Sequence, residues 1–588
     1  MAGLICLFIP ERLKVLAKLL AFATTLIIFA ASVRILIFKP LYWPPVDVPA
    51  FLVDNLSALA GIGISFFALL VTLYSLSFIE KHVSRYFGCV LITLGSALGA
   101  VFTNNLLLLL IFWGILAATL YILVNIQGTE NASAAAKKSI IIIGGTDAFM
   151  IFGIALMWKL SGTFAMDKMR LELSGAIPYI AFLSIVIASF AKAGALPFHS
   201  WLPDVAEDGP TPVTAYLPAS LDKFLGIYLL ARASLNLFVM NNISNMLLLI
   251  IGSLTVIYAV GIALVQHDFK RLLGYHAVSQ VGYMVLGIGT ANPVGIAGGL
   301  FHMLNNAVYK SCLFLSAGNV EKSAKTTDLS KLGGLARYMP VTFICFLVAS
   351  LSISGIPPFN GFVSKWMIYQ GIIELGNNKN PLWIVWLVAA MFGSALTVAS
   401  FMKLLHAVFL GRSSVSSADL KEAGIFMTLP VIILALTCVI FGVFAFALPL
   451  SILIIPAIGK ETLTYLGIWN PGTATALILA GILAGVLIYF LLFPKKARSV
   501  GVFIGGEDAK TLKRVTGTEF YDTVKDIGPL GNIYRKEEAG DFDIYEGGKK
   551  LVSLFTGILQ RLHNGVLPTY LVWCLLGMIV MFIILFLR

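Results

Sequence analysis

The sequence predicts an all-α integral membrane protein of about 15 transmembrane helices, with two inverted five-helix repeats that each contain a broken helix. Hydrophobic residues make up 59% of the 588-residue chain and charged residues only 12%, a composition that excludes an ordinary soluble protein. Apolar runs of roughly 20 residues, the length that crosses a ~30 Å hydrocarbon core as a helix, recur almost to the end. These runs are continuous rather than alternating, which predicts helices instead of barrel strands.

The predicted spans are the apolar runs that are long enough to cross a bilayer. They lie at 14–38, 51–79, 86–104, 105–126, 138–160, 177–198, 212–235, 245–266, 273–291, 294–318, 340–373, 383–411, 426–450, 474–493 and 567–587. Residues 1–9 are too short to span and are expected to lie at the surface as a short helix.

The order of the interrupted spans predicts an internal repeat. Residues 86–235 and 245–411 each contain five spans, and in each set the fourth span is broken by glycine and proline. Because five is odd, the second set enters the membrane from the opposite side, which makes the repeat inverted. The alternative is two unrelated proline kinks, since membrane helices tolerate glycine and proline.

Four flanking segments complete the predicted organisation. Residues 1–85 contain N-terminal membrane helices, and 412–493 contain additional ones. Residues 494–566 form a polar cytoplasmic segment that ends in an amphipathic stretch, and 567–588 form a C-terminal membrane helix. Three interpretations of the amphipathic stretch remain open: a helix on the membrane surface, a helix along a neighbouring subunit, or a plain connector.

The formal net charge of +12 indicates orientation in a membrane rather than nucleic-acid binding. Lysine and arginine in the short loops are more frequent on the side that carries the N-terminus. The positive-inside rule therefore predicts a multi-pass protein of the cell's inner (plasma) membrane, with a cytoplasmic N-terminus and an external C-terminus. The expected surroundings are the lipid bilayer and other membrane proteins, with no nucleic acid.

The chain shows no motif for a cofactor. Its six cysteines are scattered without a C-x-x-C pair, which argues against a zinc or iron–sulfur site. It has neither a Walker A motif nor a dinucleotide-binding glycine motif. We therefore expect no cofactor, no metal and no catalytic residue in this chain, so that energy for transport comes from an ion gradient or from a partner subunit.

Two lysines in interrupted apolar segments are the strongest functional signal. Lys192 lies in SIVIASFAKAGALPFHSWLPD and Lys365 in ICFLVASLSISGIPPFNGFVSKWMIY. A lysine near the centre of a bilayer costs roughly 2.5–3.5 kcal/mol on insertion scales. A pair of interrupted membrane segments is the sequence pattern of a transporter's ion site. Together they predict that the protein moves a small cation, H⁺ in the first place and Na⁺ as the alternative.

Further ionisable residues lie within the predicted spans, as a proton pathway requires. His302, Asn306 and Lys310 follow one another at four-residue spacing and therefore share one helix face. Lys403 and His406 are predicted to share a face in a later span. The complete set of predicted proton-pathway residues is Asp147, Lys192, His199, Asp222, Lys223, His302, Lys310, Lys365, Lys403 and His406.

The segment HSWLPDVAEDGPTP (199–212) is interpreted as a cytoplasmic surface turn. Its ionisable residues, His199, Asp204, Glu207 and Asp208, are candidates for a proton entrance. At the start of span 51–79, Asp54 has an equally good interpretation as a helix N-cap.

Several candidates have a plainer interpretation that the sequence leaves open. Lys223 beside Asp222 can be a locally neutralised charge, and His302 can be an interhelical hydrogen-bond partner. Lys403 is close enough to a helix end for its ammonium to reach the membrane surface. The two lysines beside the backbone breaks favour function instead, because a break frees carbonyls and amides for water or an ion.

Six ordered motifs between about residues 50 and 415 carry a family resemblance. They are VDNLSAL, TNNLLLLLIFW, AKAGALPFHSWLPDVAEDGPTPVTAYL, QHDFKRLLGYHAVSQVGYM, FHMLNNAVYKSCLFLSAGNV and GIPPFNGFVSKW. This set resembles the antiporter-like subunits of respiratory complex I, of multisubunit cation/proton antiporters and of membrane-bound energy-converting hydrogenases. The wording PASLDKFLGIYLLAR is most similar to the hydrogenase branch.

The resemblance implies a half-channel in each five-helix repeat, joined by a polar axis at mid-membrane. Lys192 matches the lysine of the first broken helix, Lys310 the central lysine and Lys365 the lysine of the second broken helix. Asp147 matches an acid found in some members, and His302 matches the histidine that precedes the central lysine.

Two departures from the family pattern fall in the first repeat. Many members have Trp-Glu where this chain has Trp113-Gly114, and that glutamate pairs with the first lysine. Many also have Leu-His where this chain has Leu217-Pro218. Our hypothesis is that Asp147 or Asp222 replaces the missing acid. The competing hypothesis is a degenerate first half-channel.

The expected function is H⁺ translocation by one membrane subunit of a larger redox-driven complex. The resemblance implies other membrane subunits and a peripheral redox arm as partners, with iron–sulfur clusters and a nickel–iron site in those partners. Two alternatives remain: a stand-alone cation/proton antiporter, and a largely structural subunit.

Overall fold

The computed structural model is almost entirely helical. It describes residues 1–38, 41–43, 50–377, 380–411, 420–467, 471–492, 521, 524–525, 527–563 and 565–587. The first part of the predicted polar segment, residues 494–520, lies outside the described residues, as does the terminal Arg588. The chain divides into two compact units, Met1–Asp526 and Ile527–Arg588, and the residues of each unit contact mainly one another.

The first unit begins with helices that lead into the predicted first repeat. Their bounds are α1 Ala2–Leu7, α2 Lys14–Phe38, α3 Asn55–Phe78, α4 Val83–Phe102, α5 Leu106–Val124, α6 Glu130–Ser161, α7 Ala176–Ala193, α8 Trp201–Asp208, α9 Thr211–Tyr216 and α10 Asp222–Arg232. A π segment, Leu217–Leu221, joins α9 to α10, and a second π segment, Ala233–Leu237, follows α10.

The remaining helices continue through the predicted second repeat to the C-terminus. They are α11 Asn242–Leu264, α12 Phe269–Gly289, α13 Pro293–Ala324, α14 Pro340–Ser354, α15 Asn360–Asn377, α16 Trp383–Leu404, α17 Ile425–Val443, α18 Ile455–Ala457, α19 Pro471–Leu492, α20 Gly528–Glu538, α21 Ile544–Leu562 and α22 Leu567–Phe586. Further π segments are Leu405–Leu410 and Phe446–Ile454.

Short strands close the gaps between helices at one end of the bundle. β1 (Leu41–Trp43) pairs antiparallel with β2 (Phe51–Val53), and β3 (Leu171–Glu172) pairs parallel with β4 (Phe238–Val239).

Polar side chains fix where several helices begin. Asp54, Asn105, Asp268 and Asn292 each accept hydrogen bonds from backbone N–H groups in the first turn of α3, α5, α12 and α13. Such caps satisfy donors that have no partner within the helix. The N-cap interpretation of Asp54 is therefore confirmed.

Eleven of the described helices are long and apolar enough to cross a membrane. They are α2 to α7, α11, α16, α17, α19 and α22. The other four predicted spans are also helical in the described residues, but two are interrupted (α9–α10 and α14–α15) and two (α12 and α13) carry buried polar side chains. The all-helical membrane fold is confirmed, while the span count and the inverted repeat stay predictions.

Three helices form the centre of the first unit. Every residue of α10 is buried, as is every residue of α12 except Arg271. α13 is buried from Ala297 to Val320. At the periphery, none of the described residues of α19 is buried. The polar groups that interrupt the apolar pattern of α12 and α13 thus face the bundle interior.

The second unit contains α20, α21 and α22. α21 places its apolar side chains on one face, with Lys549, Lys550 and Arg561 among its polar residues. No residue of α21 or α22 is buried within the unit. The predicted amphipathic stretch is confirmed as a helix.

Candidate ion-translocation site

Two helix breaks with the same local form lie in the interior of the first unit. α7 ends at Gly194 (φ +80°) and α14 ends at Gly355 (φ +79°), and a proline, Pro197 or Pro358, follows three residues later. The left-handed φ favours glycine at both ends. Each break leaves backbone carbonyls without a helical donor, so that they can accept hydrogen bonds from other groups.

A lysine ammonium occupies each break. Lys223, from α10, donates to the carbonyl of Ala193, and Lys365, from α15, donates to the carbonyl of Ile353 at 2.9 Å. The two lysines of the broken helices differ in position, because Lys192 precedes its break whereas Lys365 follows its break. At the first break, the ammonium that corresponds to Lys365 is that of Lys223.

Lys192 forms an ion pair with Asp222. Lys192 Nζ lies 3.4 Å from Asp222 Oδ1, and both side chains are fully buried. Within the described residues neither carboxylate oxygen of Asp222 nor the ammonium of Lys192 has a hydrogen-bond partner. The Trp113 ring lies 5.7 Å from Lys192 Nζ, close enough for a cation–π contact. Of the two acids considered for Lys192, Asp222 is thus the one that pairs with it in the structure.

Close packing of α10 on α7 brings this pair together. Gly226 lets the two backbones approach, since a Cβ atom there would lie 2.6 Å from the nitrogen of Ala193. Ser189 also donates to the carbonyl of Gly226 at 2.7 Å. The preceding π segment contains Pro218, which has no N–H, and Asp222 N donates five residues back to Leu217 O.

Asp147 lies within electrostatic range of Lys192 but makes no ion pair with it. The carboxyl of Asp147 is half-buried, and its Oδ1 has no hydrogen-bond partner among the described residues. Gly114 faces outward, and a Cβ atom on it would meet nothing within 4 Å. A side chain at position 114 would therefore point away from the interior of this unit.

Lys310 occupies the middle of α13. Its ammonium donates to the carbonyl of Leu273 at 2.8 Å and lies 5.9 Å from the rings of Phe314 and Phe401. On the same helix face, Asn306 donates to the carbonyl of Ala219 at 3.3 Å, and its Oδ1 has no partner in the described part of the chain. These two residues of the predicted polar stripe on α13 therefore face α12 and the π segment that precedes α10.

His302 is hydrogen-bonded through both ring nitrogens. Nδ1 lies 3.0 Å from Ser364 Oγ, and Nε2 lies 3.1 Å from Gln280 Oε1 and 3.3 Å from Tyr309 Oη. The interhelical hydrogen-bond interpretation of His302 is thus what the geometry shows, and these bonds also join α13 to α12 and α15.

Two polar residues of α12 were missed by the sequence analysis. His276 Nε2 lies 2.7 Å from Ser400 Oγ, and Gln280 contacts His302 as described. His276 and Gln280 are four residues apart, the same spacing that identified the stripe on α13. That spacing within QHDFKRLLGYHAVSQVGYM was the available signal.

Buried ionisable groups lie one after another across the bundle, each close enough to influence the next electrostatically. Lys223 and Lys310 lie within range of mutual repulsion, and His276 lies within range of both Lys310 and Lys365. Together with the Lys192–Asp222 pair, these contacts form a row of charged or protonatable groups from the first break to the second. Such groups are rare and costly inside membrane proteins.

Lys365 also borders a groove on the side of the bundle. The groove, about 450 Å³ in volume, lies between α15 and α16 and is lined by Trp366, Tyr369, Met391 and Ser394 as well as by the lysine. Ser394 Oγ lies 2.6 Å from Tyr369 Oη and 2.8 Å from Tyr283 Oη. Lys365 Nζ lies 4.8 Å above the Tyr283 ring.

The segment 199–212 is helical rather than a surface turn, so that expectation is wrong. His199 is 1% exposed and packs edge-on against Tyr258. Trp201–Asp208 forms α8, whose Asp204 pairs with Lys138 at 2.6 Å. The indole of Trp201 donates to the carbonyl of Ala191 at 3.0 Å, and α8 packs mainly against α12 and α6.

Acidic side chains of α8 meet basic ones at the end of the bundle. Arg271 bridges Asp204 at 3.0 Å and Glu207 at 2.7 Å. Burial, reinforced by the carboxylates of Glu207 and Asp204, raises the pKa of Asp208 above its ordinary value. Asp208 therefore takes up a proton more readily than an ordinary aspartate does.

The expected shared face of Lys403 and His406 is wrong. Lys403 is 3% exposed and donates to the carbonyls of Leu264 and Gln266 at 2.8 and 2.9 Å, whereas His406 is exposed. The π segment Leu405–Leu410 changes the turn between them. Lys403 thus caps the end of α11 instead of extending to the membrane surface.

No group of three or more His, Cys, Asp or Glu side chains that could hold a metal ion occurs in the described part of the chain. The described cysteines are free thiols, and only Cys574 is exposed.

The fold defines a multi-pass membrane protein with a row of buried charges in its interior, and comparison with known proteins gives the family. The family described as NADH:quinone oxidoreductase/Mrp antiporter, TM, matches residues 103–397. The chain belongs to this family of antiporter-like membrane subunits.

Individual relatives agree with the family match. The Na(+)/H(+) antiporter subunit A1 of Staphylococcus haemolyticus is 31% identical over 445 residues, which cover 71% of this chain and 55% of the relative. The chain therefore spans about half the length of this curated relative.

Solved structures show the same fold. A chain of an archaeal membrane-bound sulfane sulfur reductase aligns over 99% of this chain and 98% of its own length, with a TM-score of 0.79 and 20% identity. A chain of the Mrp complex from Dietzia sp. aligns over 80% of this chain and 95% of its own length, with a TM-score of 0.69 and 22% identity.

Proposed function

We propose that this chain is the proton-translocating, antiporter-like subunit of a redox-driven membrane complex, of the energy-converting hydrogenase type or a related complex I-like assembly. The observation that carries the proposal is the row of buried ionisable groups from Lys192 to Lys365. Burying a charge inside a membrane protein is costly, and buried ionisable groups of this kind mark ion and proton pathways.

The chemistry of the row favours H⁺ over Na⁺. Lys192, Lys223, Lys310 and Lys365 are nitrogen donors whose charged forms repel a metal cation, whereas a sodium site needs several converging oxygen ligands. A neutral lysine accepts a proton directly, and burial beside other cations favours the neutral form. Na⁺ remains the alternative cargo that the experiment below tests.

A proton enters, in this proposal, beside the acids of α8 and reaches the Lys192–Asp222 pair. Charge then passes from Lys223 to Lys310, because two buried ammonium groups repel each other. Loading of Lys310 in turn favours release from Lys365 into the groove between α15 and α16. Water bridges the gaps, as expected where polar atoms such as Asn306 Oδ1 are buried without a partner.

The redox chemistry belongs to the proposed partners, which are further membrane subunits and a peripheral arm with iron–sulfur clusters and a nickel–iron site. The motif PASLDKFLGIYLLAR supports the hydrogenase branch. The similarity to an Na(+)/H(+) antiporter subunit favours a second candidate: a subunit of a multisubunit cation/proton exchanger driven by an ion gradient. We further propose location in the plasma membrane with a cytoplasmic N-terminus.

Driven proton transport by the intact complex tests this function. The complex is purified, reconstituted in liposomes and supplied with an electron donor, and the internal pH is followed with a dye. Lys310→Met is expected to abolish acidification, while Lys322→Met, near the exposed end of the same helix, leaves it intact. Unchanged acidification in Lys310→Met would overturn the proposal.

Two further measurements on the same preparation separate the alternatives. Replacing Na⁺ with choline leaves acidification unchanged if H⁺ is the cargo. Iron bound to the purified complex supports redox driving, whereas a purified lone chain that exchanges cations across liposomes would establish a stand-alone antiporter.

A further inference from the structure

Buried side-chain amides bridge the second helix break. Asn360, at the start of α15, accepts a hydrogen bond from the hydroxyl of Ser352, near the end of α14, and donates from Nδ2 to Asn305 Oδ1 at 2.9 Å. Asn305, on α13, donates from its own Nδ2 to the backbone carbonyl of Asn360 at 2.9 Å. All three side chains are fully buried. The two sides of the break are therefore joined to each other and to the central helix α13.

Only one orientation of the two amides satisfies these contacts. The backbone carbonyl of Asn360 can only accept, so the Asn305 amide turns its NH₂ group toward that carbonyl. Asn305 Oδ1 then accepts from Asn360 Nδ2, which leaves Asn360 Oδ1 for the Ser352 hydroxyl. A carboxylate in place of either amide would set two acceptors against each other. The pair therefore requires an amide at both positions.

These amides hold the groups that contact Lys365. Ser352 directly precedes Ile353, whose carbonyl accepts from the Lys365 ammonium at 2.9 Å. Lys365 follows Asn360 on the same helix by about one and a half turns. The end of α14 and the start of α15 also pack closely, since a Cβ atom on Gly361 would overlap the carbonyl oxygen of Ser352. Asn360 thus contacts both the helix end that supplies the acceptor and the helix that carries the donor.

A second contact between α13 and α15 lies one turn further along. His302 Nδ1 lies 3.0 Å from Ser364 Oγ, and Ser364 directly precedes Lys365. His302 and Asn305 are three residues apart, so they share a face of α13. α13 therefore holds α15 at two successive turns, at Asn360 and at Ser364, immediately before Lys365.

The two breaks have the same local sequence at this point. In each, the glycine that ends the helix is followed three residues later by Pro-Phe and then by a polar residue, His199 at the first break and Asn360 at the second. Both polar residues are buried, and His199 packs against Tyr258. A buried polar side chain at this position is thus common to both breaks, and at the second break it is an amide that carries no charge.

We propose that Asn360 is a positioning residue that keeps the Lys365 ammonium and its carbonyl acceptor at a fixed separation. It does so by tying the end of α14 and the start of α15 to α13. Buried amides suit this role, because breaking one of their hydrogen bonds leaves a polar group unsatisfied in the interior. Since an amide does not take up or release protons, Asn360 acts on transport through Lys365. This inference rests on the proposed function.

The ratio of acidification to electron transfer tests the positioning role. Both rates are measured on the intact complex in liposomes supplied with an electron donor. We expect Asn360→Ala to lower acidification per electron at least several-fold while electron transfer continues, because the ammonium and its acceptor no longer keep their separation. A merely structural role would lower the amount of active complex, and with it both rates, without changing their ratio.

Asn319→Ala is the matched control. Asn319 is a buried amide of α13 that donates to Thr342 Oγ1 and accepts from Tyr74 Oη, both at 3.0 Å, at the start of α14 instead of its end. Its loss is expected to lower the melting temperature, as Asn360→Ala does, and to leave acidification per electron unchanged. An unchanged ratio in Asn360→Ala would overturn the proposal, as would an equal fall in both variants.

Asn305→Ala tests the same contact from the side of α13. It leaves the sequence of the break intact and is expected to lower the ratio as Asn360→Ala does, so it decides the question where Asn360→Ala does not assemble. The double variant should fall no further than the single variants, since the two amides act as one unit. A double variant whose ratio falls by the product of the two single effects would overturn the proposal.

Failure of this inference is distinguishable from failure of the proposed function. An unchanged ratio in Asn360→Ala, in a complex whose acidification Lys310→Met still abolishes, contradicts only the positioning role. Acidification that is insensitive to Lys310→Met contradicts the proposed function.

Discussion

Lys192 and Asp222 form a fully buried ion pair, with 3.4 Å between Lys192 Nζ and Asp222 Oδ1. The acid beside Lys192 therefore comes from α10, whereas α5 has the outward-facing Gly114 next to Trp113. The first break is thus equipped with a counter-charge, which argues against a degenerate first half-channel.

We expect the loss of one partner of this ion pair to lower the stability of the protein more than the loss of both partners. Asp222→Asn leaves the Lys192 ammonium buried without a counter-charge, which costs about 3–5 kcal/mol of stability for a buried pair. The double variant Lys192→Met with Asp222→Leu is expected to be more stable than Asp222→Asn, since both charges are gone. Thermal unfolding of the purified complex measures both values. A double variant less stable than either single variant would contradict the pairing.

Backbone contact between α7 and α10 gives a second prediction. Gly226→Ala introduces a Cβ atom 2.6 Å from the nitrogen of Ala193, so the helices must move apart and Asp222 leaves Lys192. We expect driven transport to fall at least several-fold. Gly95→Ala, on α4 with no atom within 4 Å of its Cβ, is the control and is expected to be neutral or stabilising by about 0.5–1 kcal/mol. Equal transport in the two variants would show that the close approach is unimportant.

Because the pKa of Asp208 is raised, we expect the stability of the folded protein to depend on pH. Burial and the carboxylates of Glu207 and Asp204 raise its pKa in the folded protein. The folded state therefore binds the proton more tightly than the unfolded chain, so the contribution of Asp208 is favourable at low pH and is lost as pH rises through the raised pKa. Asp208→Asn should raise the melting temperature at pH 7.

The gain in Asp208→Asn should shrink as the pH falls toward about 4, the ordinary range of a carboxyl group. Melting curves across this range check the trend, with the exposed Glu461 as the matched site for Glu461→Gln. A gain that is the same at both ends of the range would contradict the raised pKa.

Substitution of Lys403 distinguishes a helix-capping role of this residue from a role in the proton pathway. Lys403→Met leaves the carbonyls of Leu264 and Gln266 without this donor, which is expected to cost about 1–3 kcal/mol. Transport per assembled complex should stay near the wild-type rate, and Lys403→Arg should restore part of the stability. Loss of transport in a variant that melts like the wild type would return Lys403 to the pathway.

Sequence patterns were sufficient for the membrane fold, the two breaks and the stripe of His302, Asn306 and Lys310. Apolar length and glycine–proline pairs report on properties of the chain itself, so they need no tertiary information. The capping role of Asp54 followed from its place before an apolar helix, although its second role, binding Arg232, did not.

Contacts between distant segments were not predictable in the same way. Two hypotheses, Asp147 and Asp222, stood equal as partners of Lys192 until the packing of α10 on α7 selected Asp222. The π segment after Lys403 separated it from His406, because a local change in turn geometry leaves no clear pattern in composition. The burial of His199 against Tyr258 likewise depends on contact between segments that are distant in the sequence.

The most direct test of the proton pathway is driven acidification by the complex with Lys365→Met, measured against Lys322→Met in the same liposomes. Lys365 donates to a carbonyl at the second helix break and also lines the groove at the surface. We expect electron transfer without acidification in Lys365→Met and wild-type acidification in Lys322→Met. Wild-type acidification in Lys365→Met would contradict it.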